Sequence, residues 1–229
     1  MAIYAMGDLH FSGEPPTKPM EVFGAQWLGH RKKVITYWKE TVKDGDTVLL
    51  VGDTSWSMDL EDAVEKDLGP LAALPGDLVI LKGNHDYWWN SLKKLQAALP
   101  PKVHFLHNTF YQTGDVALCG TRGWFYELEE PGSHTEKMRN REAGRLETSL
   151  RAAGEREKIC FLHYPPLYTG YRCEEMLRLL RQYGVKRCYY GHLHGGMAHS
   201  RAVQGERDGT DFSLVSADYL RFKPKKILE

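Results

Sequence analysis

Apolar residues come in short runs along this chain, at 2–6, 47–51, 78–81, 103–106, 116–119, 159–162, 188–190 and 212–216. Most of these runs are continuous rather than alternating, the pattern of strands buried on both faces. Between several of them the period changes to that of a helix. Trp27, Val34, Ile35, Trp38 and Val42 share one helical face. Leu92, Leu95 and Leu99 share another, in a segment that stops at Pro100-Pro101. Met138, Leu146, Leu150 and Ala153 mark a long, charged amphipathic helix ahead of Gly154, and Met176, Leu179, Leu180 and Tyr183 mark one closed by Gly184.

Strands alternating with helices predict an α/β fold built on a largely parallel sheet with helices outside. The later strands succeed one another on shorter connections and predict a second sheet packed on the first. No repeat or composition break divides the 229 residues, so one domain spanning 1–229 is expected. The 30 basic and 30 acidic side chains balance, and no global field draws the chain to nucleic acid or membrane. The lysine-rich end, Phe222 to Glu229, reads as a solvated tail. No apolar run reaches the roughly 20 residues that span a bilayer, and the first residues lack a signal-peptide pattern. Cys119, Cys160, Cys173 and Cys188 form no C-x-x-C pair; three lie in apolar stretches and read as reduced, buried thiols. A cytoplasmic location is expected.

The polar residues at the strand ends change the picture. The first run leads to Gly7-Asp8-Leu9-His10, the second to Gly52-Asp53, and the third, after Lys82, to Gly83-Asn84-His85-Asp86. The run at 159–162 ends at His163, and that at 188–190 at Gly191-His192-Leu193-His194. Ligands of open α/β sheets bind outside the carboxyl ends of the strands, so five strands deliver carboxylate, amide and imidazole groups to one rim. Oxygen and nitrogen donors without thiolate suit divalent cations such as Mn²⁺, Fe²⁺ or Zn²⁺. Asp8, His10, Asp53, Asn84, His163, His192 and His194 are too many for one ion. Two ions sharing a carboxylate, roughly 3.5–4 Å apart, would use them all.

The ordered set D-x-H, G-D, G-N-H-D, H and G-H-x-H, over residues 8 to 194, resembles the calcineurin-like metallophosphoesterase family. The resemblance implies two packed mixed β-sheets flanked by helices, a four-layer α/β/β/α sandwich. It implies that Asp8, His10 and His194 bind a first metal, that Asp53 bridges, and that Asn84, His163 and His192 complete a second site. Manganese is the expected ion, with iron or zinc as options. His85 would be the catalytic general acid beside the phosphoryl group, with a hydroxide held between the ions attacking phosphorus. Asp86 would fix the turn or orient a neighbour. Protein-phosphatase members continue G-D with a second Asp and an Arg, where this chain has Trp56 and Ser57. That argues against phosphoprotein hydrolysis and toward the uncharacterised bacterial phosphohydrolases of the superfamily.

Other residues carry two readings. Tyr87, Trp88 and Trp89 form an aromatic wall for a leaving group or, by preference, pack on the sheet. Arg122, in Gly120-Thr121-Arg122-Gly123-Trp124, grips a phosphate oxygen of the substrate or makes a structural salt bridge. Trp56 and Trp124 are expected at the mouth of the site. His30, His104, His107, His134 and His199 are given no role. The expected partner is a small phosphoester, mono- or diester, and not a membrane. A nuclease of the same superfamily and a non-catalytic scaffold are the alternatives. A zinc amidohydrolase or β-lactamase-like site would open with H-x-H and leave G-N-H-D unexplained.

Overall fold

The computed structural model describes residues 1–124 and 133–229. Strands β1 (Ile3–Met6), β2 (Thr47–Val51), β3 (Asp77–Leu81) and β4 (Val103–Leu106) lie side by side and parallel. In the second sheet β6 (Val116–Thr121), β7 (Glu157–Leu162), β10 (Arg187–Tyr190) and β12 (Thr210–Leu214) are parallel. That sheet ends in two antiparallel edge strands, β5 (Phe110–Thr113) and β11 (Gly205–Arg207). A small hairpin, β8 (Leu167–Tyr168) with β9 (Tyr171–Arg172), stands apart.

Each central strand is apolar on both sides because each side meets a different layer. Leu49 and Val51 of β2 join Ile3, Val79 and Leu81 between the sheets, against Ile159, Phe161 and Tyr189. Their neighbours Val48 and Leu50 point the other way, into a cluster with Val34 and Trp38 of helix α1 (His30–Thr41). Short helical turns α2 (Leu60–Ala63) and α3 (Gly69–Ala72), and α4 (Leu92–Ala98), add Ala63, Leu71 and Leu95 to that layer. Outside the second sheet lie α5 (Ser133–Ala152) and α6 (Glu174–Gln182), whose Leu146, Leu150, Met176 and Leu180 pack on Cys160 and Leu162. Burying one such side chain contributes about 1.5–3 kcal/mol, so the two-sided strands anchor the four-layer α/β/β/α sandwich. The four cysteines are free and buried, three of them at paired positions across β6, β7 and β10. No helix among the described residues is long and apolar enough to cross a membrane.

The C-terminal run is not a solvated tail. Residues Lys225–Leu228 form β13, antiparallel on the outer edge of β1. The Lys225 ammonium donates to Ser213 Oγ at 3.1 Å and lies 5.7 Å from the Tyr189 ring centre, so its stem covers apolar surface while its ammonium stays hydrogen-bonded. Lysines on an edge strand also discourage further pairing, which is why the segment looks like a tail in sequence. The edge strands β5 and β11 are likewise short.

Two connections position the rim. Backbone pairing continues beyond β1 and β2, with Asp8 N donating to Gly52 O (2.8 Å) and His10 N to Asp53 O (2.9 Å). The sheets are tied together just past β1, where Gly7 N donates to Val215 O (2.8 Å) and Ala217 N to Gly7 O (2.9 Å). Removing residues 225–229 bares the β1 edge next to this tie. Loss of its cross-strand bonds and of the Ile227 and Leu228 contacts is expected to lower stability by about 2–4 kcal/mol, read as a reduced urea midpoint.

Candidate metal centre

The structure brings every expected site residue after β1, β2, β3, β7 and β10 to one rim. One atom each of Asp8, His10 and His194 lie within 4.8 Å of one another, and so do those of Asp53, His163 and His192. His194 Nε2 is 3.2 Å from His10 Nε2 and 3.5 Å from Asp8 Oδ1. Asp53 Oδ2 stands between the groups, 3.8 Å from His10 Nε2 and 3.5 Å from His163 Nε2. Asn84 Oδ1 lies 2.6 Å from His163 Nε2. His85 belongs to neither group. Its amide donates to Asp53 Oδ1 (2.8 Å), and its ring packs 4.4 Å from Trp56, which also stacks on His10 at 4.9 Å.

The backbone is bent to make this cage. Asp8 (φ 61°), His10 (φ 48°), Asp53 (φ 50°) and His192 (φ 72°) all adopt the left-handed conformation. For such residues it is unfavourable by roughly 1–2 kcal/mol each, and strain of this kind gathers at functional sites. Hydrogen bonds hold it. Both oxygens of Asp8 accept from His192 N at 3.0 Å. Asp86 accepts from five donors: Gly83 N (2.7 Å), Thr54 N (2.8 Å), Asp53 N (2.9 Å), Trp88 Nε1 (3.0 Å) and Ser55 N (3.3 Å). It thus locks the turn after β3 to the turn after β2. Two glycines permit the close approach. A Cβ on Gly83 would overlap the Asp53 carboxylate and backbone, and one on Gly191 would sit 2.5 Å from Asp8 Oδ2.

The electrostatics fit a cation. Burial, and then the Asp8 charge, push Asp53 up to about 8. Burial opposes the charge on Asp8 as well, but His194, His163 and His10 hold it down at about 2. Burial and the neighbouring His163 depress His192 to about 3. His163 is held low chiefly by burial. Its Nδ1 faces Val51 O at 2.9 Å and so carries the proton of a neutral ring. That leaves the Nε2 lone pair and the Asn84 amide oxygen aimed at common space, an arrangement a positive ion satisfies. His194 repeats the pattern: Nδ1 faces Asp218 Oδ1 at 3.1 Å, which leaves Nε2 for the cage. Burial works against the charge on His194, but Asp218 and Asp8 raise it to about 10, which favours a protonated ring at neutral pH in the absence of a cation.

Asp218 carries no signal in the sequence. Its side chain is 2% exposed; it also accepts from Gly195 N (2.9 Å) and pairs with His199 (3.4 Å). His199, given no role from sequence, therefore touches the site through Asp218. A lone Asp in Ser216-Ala217-Asp218-Tyr219 belongs to no motif; only its place after β12, beside β10, marks it. Trp88 is fully buried and Trp89 packs on the core, whereas Tyr87 is exposed, 6.1 Å from His85. Arg122 lies one strand away, 3.8 Å from Glu142, with Trp124 against it at 5.6 Å and Tyr164 at 5.9 Å from Trp124.

A four-layer sandwich whose strand ends converge on two groups of metal-type donors defines a class of metal-dependent hydrolases. The chain belongs to the calcineurin-like phosphoesterase family, whose profile matches residues 1–196. A protein of unknown function from Aquifex aeolicus, solved by crystallography, shares the fold with a TM-score of 0.53 at 14% identity, over 98% of this chain and 95% of that one. No match is found among curated proteins.

Because five donors converge on Asp86, the substitution Asp86→Asn turns an amide NH₂ toward N–H groups deep in the protein. A loss of about 3–5 kcal/mol in urea unfolding is expected. Asp62→Asn, on the surface, should stay within about 0.5 kcal/mol of the parent protein.

Proposed function

We propose that the chain hydrolyses phosphoesters with two divalent cations, one held by Asp8, His10 and His194, the other by Asn84, His163 and His192, with Asp53 shared. The observation that carries this reading is the position of Asp53 Oδ2, within 4 Å of an imidazole nitrogen from each group. Manganese, iron and zinc all suit these oxygen and nitrogen donors. When bound, such cations supply the positive charge that acidifies water and offsets charge on phosphoryl oxygens.

The chain's own residues do the rest. Asp218 holds the His194 ring through Nδ1 and keeps Nε2 directed inward. His85 stays free of both groups, fixed by its amide on Asp53 and by the Trp56 ring, and donates a proton to the departing oxygen. Burial, and then the neighbouring His163 imidazole, lower its affinity for that proton and make it a stronger acid. The leaving group lies along Trp56 and Tyr87, the aromatic rings flanking His85. Small organic phosphoesters fit that surface.

Replacing His85 with Asn is expected to lower kcat on an aryl phosphate by about 10²–10⁴-fold with metal content unchanged. The paired substitution Asp53→Asn should instead empty both positions, and elemental analysis of the two purified variants separates the roles. Loss of metal in the first, or full occupancy in the second, would reverse the assignment.

Metal uptake should also expel protons. Asp53 near 8 and His194 near 10 both carry protons at neutral pH before a cation enters. Affinity for Mn²⁺ is therefore expected to rise with pH from 6 to 9, by up to about tenfold per pH unit for each proton displaced. Calorimetry in buffers of different ionisation enthalpy counts those protons. A pH-independent affinity would contradict the scheme.

A further inference from the structure

Next to the metal centre, at the ends of β3, β4 and β6, the same rim opens into a second recess of about 150 Å³. Lys82, Arg122, Arg141 and Arg145 line it, with His107 and a single acid, Glu142. Glu142 is fully buried. Its Oε2 accepts from Thr121 Oγ1 (2.6 Å), while Arg145, Arg141 and Arg122 gather round Oε1 at 2.7, 3.6 and 3.8 Å. One carboxylate neutralises one guanidinium. Four basic side chains against one acidic one leave an excess of about three positive charges around a concave space, with Arg122 the least exposed of the arginines.

One further observation shows that this charge is unmet. Arg122 Nε is buried and has no hydrogen-bond acceptor among the described residues. An oxyanion in the recess would answer it, since guanidinium forks match the oxygens of a phosphoryl group. Lys82 precedes Asn84 by two residues. The Arg122 carbonyl accepts from Tyr164 N at 2.8 Å, and the Tyr164 ring lies 4.4 Å from that of His192. Tyr164 thus touches both Arg122 of the recess and His192 of the metal centre, which makes the two sites neighbours.

We propose that this recess binds a second phosphoryl group of the substrate, so that the preferred substrates carry two phosphates, one cleaved and one held. The proposal deepens, and rests on, the phosphoesterase reading above. Arg122, Arg141, Arg145 and Lys82 act as specificity residues, and Glu142 spaces the three arginines.

The test pairs a binding measurement that needs no turnover with one that does. Lys82→Met combined with Arg141→Met leaves Arg122 and Arg145 on Glu142; should that protein unfold early, the half-exposed Arg141→Gln alone replaces it. Sulfate titrated into the purified protein at constant ionic strength is expected to bind at least about tenfold more weakly to the variant. In kinetics, alkanediol bisphosphates of increasing length are compared with the matching alkyl monophosphates. Wild-type KM should be about tenfold or more lower for the best bisphosphate, and the variant should erase that advantage while monophosphate kcat/KM stays within about twofold. Equal sulfate affinity in both proteins would overturn the proposal. So would weakened sulfate binding without any bisphosphate preference, which would make the recess a site for free phosphate. If no ester is turned over, the phosphoesterase reading fails and the substrate role falls with it, whereas the sulfate titration still reports whether the recess holds an oxyanion.

Discussion

Two carboxylates from neighbouring strands, Asp8 and Asp53, are sealed from solvent within one small cage. Like charges in a poorly polarisable interior repel strongly, and neither can turn away because the surrounding chain has fixed both backbones. Relief must come from protons or cations. The first solution shows in the chain alone, where Asp53 holds its proton up to about 8 and His194 up to about 10. The second is chemically better matched, because imidazole lone pairs and an amide oxygen point inward along with the carboxylates. Stability is thus given up at this rim so that positive charge is attracted to it.

The sandwich supplies the rigidity that such a cage needs. Its strands are packed on both faces, so their ends cannot shift singly. The Gly7 bonds to Val215 and Ala217 tie the first sheet to the second at the point where both deliver site residues. Asp86 adds a lock between adjacent strand ends, satisfying five donors that would otherwise be stranded in the interior. Four left-handed residues are tolerable only because these contacts outweigh the local strain.

The physics of each part decides how much of it was legible in the sequence. The central strands were clear because burial on both faces leaves an unbroken apolar run. The converging polar residues were clear because they come directly after those strands, and the family motif covers them. Three edge strands were not: β5, β11 and β13 bury one side at most, and β11 and β13 read as charged segments, whereas the edge strand β4 keeps an apolar run. Asp218 was missed because a residue that supports a histidine from behind needs no spacing relative to it, only proximity in the fold. The basic recess was hidden for a similar reason. Its cations come from three separated segments, and the neutral total charge conceals an acidic cage beside a basic hollow.

Trp56 shows how one departure from the family pattern changes the chemistry available. Where relatives that act on phosphoproteins place an acidic partner for the catalytic histidine, this chain places an indole, stacked on His10 and packed against His85. An acidic partner would raise the proton affinity of His85. An indole excludes water without supplying charge, so burial and the neighbouring imidazoles dominate, and the ring holds its proton less tightly. His85 Nδ1 accordingly has no hydrogen-bond partner among the described residues. A less basic imidazole takes up its proton more readily when an anion is beside it. In the proposed reaction the acid is therefore armed by the substrate's own phosphoryl charge, and the aromatic wall that disarms it otherwise also receives the leaving group.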